Sequence, residues 1–91
     1  MKVKNMTNEK GRQVANQFII FDKDYTVFQS YGSVIVKTTF EGGERVVYLD
    51  EKYWDYSRTT GRYRNMFLGE NRSETLKKIK SGEYKLVDLN K

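Results

Sequence analysis

The chain has 91 residues with a net charge of +5 and no cysteine, histidine or proline. That length holds one core and no second domain. The missing residue types exclude disulfides, thiol nucleophiles, Cys/His zinc sites and any triad with a histidine base.

A polar composition with 37% hydrophobic residues still includes five Phe, seven Tyr and one Trp. Those rings supply enough apolar area for a modest core, so the chain reads as folded rather than disordered. At this size folding buries roughly 60 to 65% of the unfolded surface, which favours surface binding over a deep substrate cavity. Small secreted domains are normally stapled by disulfides or metals, so a cysteine-free chain points to a reducing cytosol. No apolar run approaches the ~20 residues that span a bilayer, and no membrane partner is expected. We read residues 1–91 as a single domain, with 1–15 as an N-terminal arm, and the fold class as α+β: an antiparallel sheet of three to five strands with two short helices in the C-terminal half.

Along the chain, residues 1–16 are polar and hold Gly11, the pattern of a short strand or arm followed by a turn. Residues 16–21, Asn-Gln-Phe-Ile-Ile-Phe, form an apolar run of β-favouring residues closed by Asp22-Lys23-Asp24, whose side chains favour turns. Residues 25–31 alternate until Gly32. Residues 33–40 predict the clearest strand, with Val34, Val36 and Phe40 on one face and Lys37 and Thr39 on the other. Gly42-Gly43 predicts a tight turn, because primed hairpin turns need positive φ at both central residues. Residues 45–49 then return antiparallel.

From residue 55 the period changes. Tyr63, Met66 and Phe67 fall at i, i+3 and i+4, predicting a short helix capped by Thr59 or Thr60, ended by Gly69 and holding those three side chains in the core. Asn71 followed by Glu74 has capping-box spacing for a second helix, with Leu76 and Ile79 inward, Lys77, Lys78 and Lys80 around the remainder, and Gly82 at its end. Residues 83–89 alternate as a last strand that can rejoin the sheet.

Charge is uneven: residues 52–80 alone carry +5, while 41–51 carry −3. Within the basic half, residues 52–68 interleave Tyr53, Trp54, Tyr56 and Tyr63 with Arg58, Arg62 and Arg64. Guanidinium groups bind phosphate bidentately and flat rings stack on any base, so this mixture suits a nucleic acid or a nucleotide. The opposing reading puts Trp54 and Tyr63 in the core and pairs the arginines internally with Asp55 or Glu70. The candidate binding set is therefore Tyr53, Tyr56, Arg58, Arg62 and Arg64, extended by Lys77, Lys78 and Lys80. No catalytic or metal-binding residue is assigned: the carboxylates show no motif spacing, Gly42-Gly43 lacks the Lys-Ser or Lys-Thr of a P-loop, and no cofactor is implied.

The stretches at 16–20, 28–31, 53–60 and 78–84 resemble a family of small phage and prophage proteins of uncharacterised function. That resemblance implies a bacterial host cytoplasm and a non-catalytic accessory role in host takeover or counter-defence, inhibition of CRISPR effectors being one version. It supplies no site residues. The partners to weigh are a nucleic acid, a nucleotide or a host defence protein, the last making the chain a protein-protein inhibitor. A homo-oligomeric structural component, such as a dimer, is a third reading.

Overall fold

A computed structural model describes residues Met1 to Lys91. Five strands run in sequence as an antiparallel meander: β1 (Lys2–Thr7), β2 (Gln13–Phe21), β3 (Tyr25–Ser30), β4 (Ser33–Glu41) and β5 (Glu44–Asp50). Two helices follow, α1 (Arg58–Leu68) and α2 (Arg72–Ser81), and then β6 (Tyr84–Val87) joins β5 in parallel. The α+β class stands, with a six-stranded sheet in order β1 to β6, one strand larger than the upper expectation. The extra strand comes from the N-terminal arm. β1 pairs with β2 from Lys2↔Phe21 to Thr7↔Gln13, which satisfies backbone groups that a free arm would leave to water.

Local chemistry accounts for the turns. Gly42 and Gly43 have φ of 62° and 84° and close the Glu41↔Glu44 register, as a primed two-residue turn requires. Between β2 and β3 the Asp22 carboxylate accepts from the Lys23 N–H at 2.7 Å, and the Asp22 N–H donates to the Tyr25 carbonyl at 2.9 Å. The β3–β4 turn falls at Tyr31 and Gly32. Tyr31, not Gly32, takes positive φ, and its N–H donates to the carbonyl of Asn16, the other non-glycine residue with positive φ.

The expected two-face alternation of β4 is also broken. A register shift lies between Phe28 and Gln29, so Ile35 and Val36 are both fully buried, whereas Phe40 at the strand end is 72% exposed. A bulge turns consecutive side chains to the same side, which strict alternation cannot anticipate.

Both helices pack on one face of the sheet. Phe67 of α1 stacks on Phe28 at 5.9 Å between ring centroids, and the Thr60 and Ser30 hydroxyls share a buried 2.8 Å hydrogen bond. α2 lies over β6, where Tyr84 donates to Glu70 at 2.8 Å. The core holds Phe28, Ile35, Val36, Val47, Leu49, Tyr63, Leu68 and Tyr84, with Trp54, Phe67 and Ile79 packed partly buried against it. Met66 is not in the core, contrary to its helical spacing with Tyr63; it is 47% exposed because α1 turns Phe67 and Leu68 inward in its place.

The C-terminal tail is tied across the end of β5. Asp50 is nearly fully buried and accepts from the N–H groups of Lys52, Tyr53 and Leu89. Burial pushes its carboxyl pKa up, but these hydrogen bonds and one from Asn90 outweigh that and hold it below the ordinary carboxylate value. The Asn90 amide then pairs with both the N–H and the carbonyl of Val34, at 2.7 and 2.9 Å. Asp50 thereby fixes the start of the 51–57 loop, which leads into α1. No helix is long and apolar enough to cross a membrane.

Candidate functional site

α1 starts two or three residues earlier than its threonines indicate. Ser57 is the N-cap, its hydroxyl accepting from the Thr60 N–H at 3.2 Å, and Thr60 spends its own hydroxyl on Ser30 instead. A serine in extended conformation serves as well as threonine, and docking against β3 claims Thr60. Starting at Arg58 puts Arg58 and Arg62 four residues apart on one helix face, both exposed. Neither makes an ion pair with any acidic side chain, the three salt bridges being Arg64–Asp55, Arg72–Asp55 and Lys78–Glu70.

Arg58 and Arg62 form one wall of an open concavity of about 840 Å³. Arg64 and Arg72 also line it, with Asp55 and Tyr56, and Tyr56 is its one hydrophobic lining residue. Four guanidinium groups thus face a single carboxylate.

The roles of the four differ. Arg64 is 1% exposed, and its Nη1 donates to the Trp54 carbonyl at 2.6 Å and to Asp55 Oδ1 at 3.0 Å. Its Nη2 donates to Asn65 at 3.0 Å. Gly61 lies over this guanidinium, so a glycine on α1 keeps the floor of the cleft low. Arg72, at the first turn of α2, donates from Nε to Asp55 Oδ2 at 2.7 Å and is otherwise more than half exposed, leaving its Nη groups free of protein acceptors. Both also lie near Trp54, with guanidinium carbons 5.3 Å and 5.8 Å from its ring centroid. Burial pushes the Asp55 carboxyl pKa up, but the hydrogen bonds and charges of Arg72 and Arg64 outweigh it and hold the group below its ordinary range. Asp55 therefore stays ionised at neutral pH and splints the loop to both helices.

The candidates read from the sequence do not all converge. Tyr56, Arg58 and Arg62 meet at the cleft with their side chains accessible. Arg64 reaches it as a buried, internally paired floor. Tyr53 is half-buried against the core and meets Tyr56 edge-on at 5.4 Å, so it supports that ring from outside the cleft. Lys77 and Lys80 are exposed on α2 outside the lining. Lys78 donates to Glu70 at 2.7 Å, which raises its pKa, and it lies 5.3 Å from the Tyr84 ring centre. Glu70 accepts from Thr75 and Tyr84 as well; burial pushes its carboxyl up, but Lys78, Thr75 and Tyr84 together hold it low.

Arg72 is the residue that reading along the chain misses. It follows the Asn71 cap, four residues beyond the aromatic and arginine segment, and only the placement of α2 over β6 brings it to Asp55. The one signal was its place in the first turn of a helix whose cap was legible.

A family model matches residues 1–83, and the chain belongs to that family, a family of unknown function (DUF8033). Comparisons with curated proteins and with solved structures return no match.

Proposed function

We propose that this protein is a non-catalytic binding protein whose arginine-lined cleft takes a phosphate-bearing ligand, a nucleic acid or a nucleotide. The observation that carries this reading is Arg58 and Arg62, two unpaired guanidiniums on one helix face, beside the free end of Arg72 and the exposed ring of Tyr56. Like charges four residues apart destabilise a helix by about 0.2 to 0.5 kcal/mol, and a cation in the first turn opposes the helix dipole. A bound anion reverses both terms.

α1 begins with no acidic residue in its first turn, and Ser57 takes only the Thr60 N–H, so the Arg58 and Thr59 N–H groups have no intrahelical acceptor. Amides and guanidiniums together make a site for phosphate oxygens. Tyr56 adds a face on which a base can stack.

Fluorescence anisotropy with labelled single-stranded DNA, RNA, duplex and a labelled nucleotide, at low and physiological salt, tests the reading. Salt-sensitive binding to at least one probe is expected, lost in the Arg58→Ala, Arg62→Ala double variant with thermal melting unchanged. Flat traces for every probe remove the proposal.

A second reading has one observation in its favour. A groove of about 300 Å³ between α1 and the β1–β2 edge is lined by Met6, Ile19, Phe21, Met66 and Phe67, and Phe21 and Met66 are 40% and 47% exposed. Apolar side chains at an open edge suit a protein partner, as a protein-protein inhibitor requires. Affinity purification after nuclease treatment separates the two, since a retained protein favours the second. An accessory role in a phage, with counter-defence in a bacterial cytoplasm, belongs to either reading and rests on the sequence resemblance alone.

A further inference from the structure

We infer that the ligand of the cleft is a nucleotide carrying several phosphates on one base, rather than a nucleic-acid strand. This rests on the reading of the cleft as a phosphate site and narrows it.

The ratio of charge to rings decides between the two. A strand offers one phosphate per base, and non-specific single-strand grooves match it with successive aromatic platforms along a basic track. Here one hydrophobic residue, Tyr56, lines the cleft against four arginines. Tyr53 does not serve as a second platform, because it packs against the core and meets Tyr56 at 76°.

The positive charge is also concentrated rather than drawn out. Arg58 and Arg62 are unopposed within a single concavity, beside the Nη groups of Arg72, which keep donors free although Asp55 pairs its charge, while the exposed Lys77 and Lys80 lie outside the lining and do not extend it into a track. Adjacent phosphates in an oligophosphate share a bridging oxygen, so their charges crowd together as these guanidiniums do. Ser57 and Arg58, at the start of α1, line the same concavity, and the Arg58 N–H has no intrahelical acceptor.

Asp55 narrows the choice further. Its two oxygens hold Arg64 and Arg72 at 3.0 and 2.7 Å, which leaves less positive charge free for a single phosphate. A chain of phosphates engages Arg58, Arg62 and the outer edge of Arg72 at once without displacing that carboxylate. A monophosphate reaches fewer of them.

Isothermal titration calorimetry with ATP, GTP, AMP, GMP, inorganic tripolyphosphate and an oligouridylate tests this at physiological salt. At least one nucleoside triphosphate is expected to bind about tenfold or more tighter than its monophosphate, in proportion to the added phosphate contacts. Tyr56→Ala is expected to weaken triphosphate binding about tenfold through lost stacking while leaving tripolyphosphate unchanged, and Tyr56→Phe is expected to restore it.

An oligouridylate binding more tightly than every triphosphate overturns this inference and leaves the wider nucleic-acid reading intact. Silence from all six probes overturns the inference, and the wider reading is then decided by the DNA and duplex arms of the anisotropy titration. Equal affinity for mono- and triphosphates overturns the inference. So does triphosphate binding indifferent to Tyr56→Ala, because the site would then read phosphate alone.

Discussion

The two helices differ in how they treat their own ends. α2 is built by the rules of helix stability. Asn71 and Glu74 form a complete capping box, Glu74 puts an acid in the first turn, and Lys78 and Lys80 put cations in the last. α1 breaks those rules. It has a serine cap, no acid in its first turn, no cation in its last turn, arginines at its first and fifth positions, and Gly61 in its interior. α1 nevertheless supplies five lining residues of the cleft between Arg58 and Asn65, whereas α2 contributes only Arg72. Local departures from stability concentrate at functional sites, and in this chain they gather on one helix.

The comparison breaks most readily at Arg64. Arg64→Ala leaves Asp55 with Arg72 alone and the Trp54 carbonyl without its donor. We expect a loss of about 3 kcal/mol in urea denaturation, at the low end for a broken buried pair because Asp55 keeps one partner. A loss below about 1 kcal/mol would show that the buried Arg64 pairing contributes little to holding the loop against α1.

Acid provides the next test. Asp50, Asp55 and Glu70 all have pKa values below ordinary, so the folded state binds fewer protons there than the unfolded chain. Their contribution is full above the ordinary carboxylate range and is lost as pH falls through that range toward the lowered folded values. Thermal melting is expected to be flat from about pH 7 to 5 and to fall below about pH 4.5. Glu70→Gln tests α2 and Asp55→Asn tests the cleft, and each is expected to flatten part of that fall.

Two small gains sharpen the contrast. Gly61 has no positive φ, and a Cβ there would meet the Arg64 guanidinium at an ordinary 3.7 Å. Gly61→Ala is therefore expected to raise stability by about 0.5 to 1 kcal/mol, measured by denaturation. Arg58→Glu is expected to raise it by about 0.3 to 1 kcal/mol through the helix dipole while abolishing anion binding. Stability and ligand affinity moving in opposite directions in that one variant would mark α1 as compromised for binding. A loss of both would mean that Arg58 is held by contacts beyond its exposed position.

Much of this was legible residue by residue. Gly42-Gly43, the Asn71 to Glu74 box, Gly69 and Gly82 were read at the right places because each signal is complete within four or five residues. The concentration of arginine and tyrosine in 52–68 pointed to the cleft for the same reason. What periodicity could not supply was phase: the bulge that buries Ile35 beside Val36 and the turn of α1 that exposes Met66 arise from pairing with other elements. Thr59 and Thr60 were equally good local caps, and Thr60 was claimed by Ser30, thirty residues away in the chain.

By itself, then, the sequence determined the α+β class with its turns and caps, its basic half and a segment rich in arginine and tyrosine. Tertiary structure decided which of those arginines stay exposed. Arg64 and Arg58 are alike in composition and charge, yet docking α1 against β3 buries one beside Asp55 and leaves the other in water. Seating α2 over β6 brings in Arg72, and β6 returns parallel to β5 because the two helices carry the chain back alongside that strand. Burial and ion pairing depend on contacts between residues far apart in the chain, and those form only when the sheet and both helices are assembled.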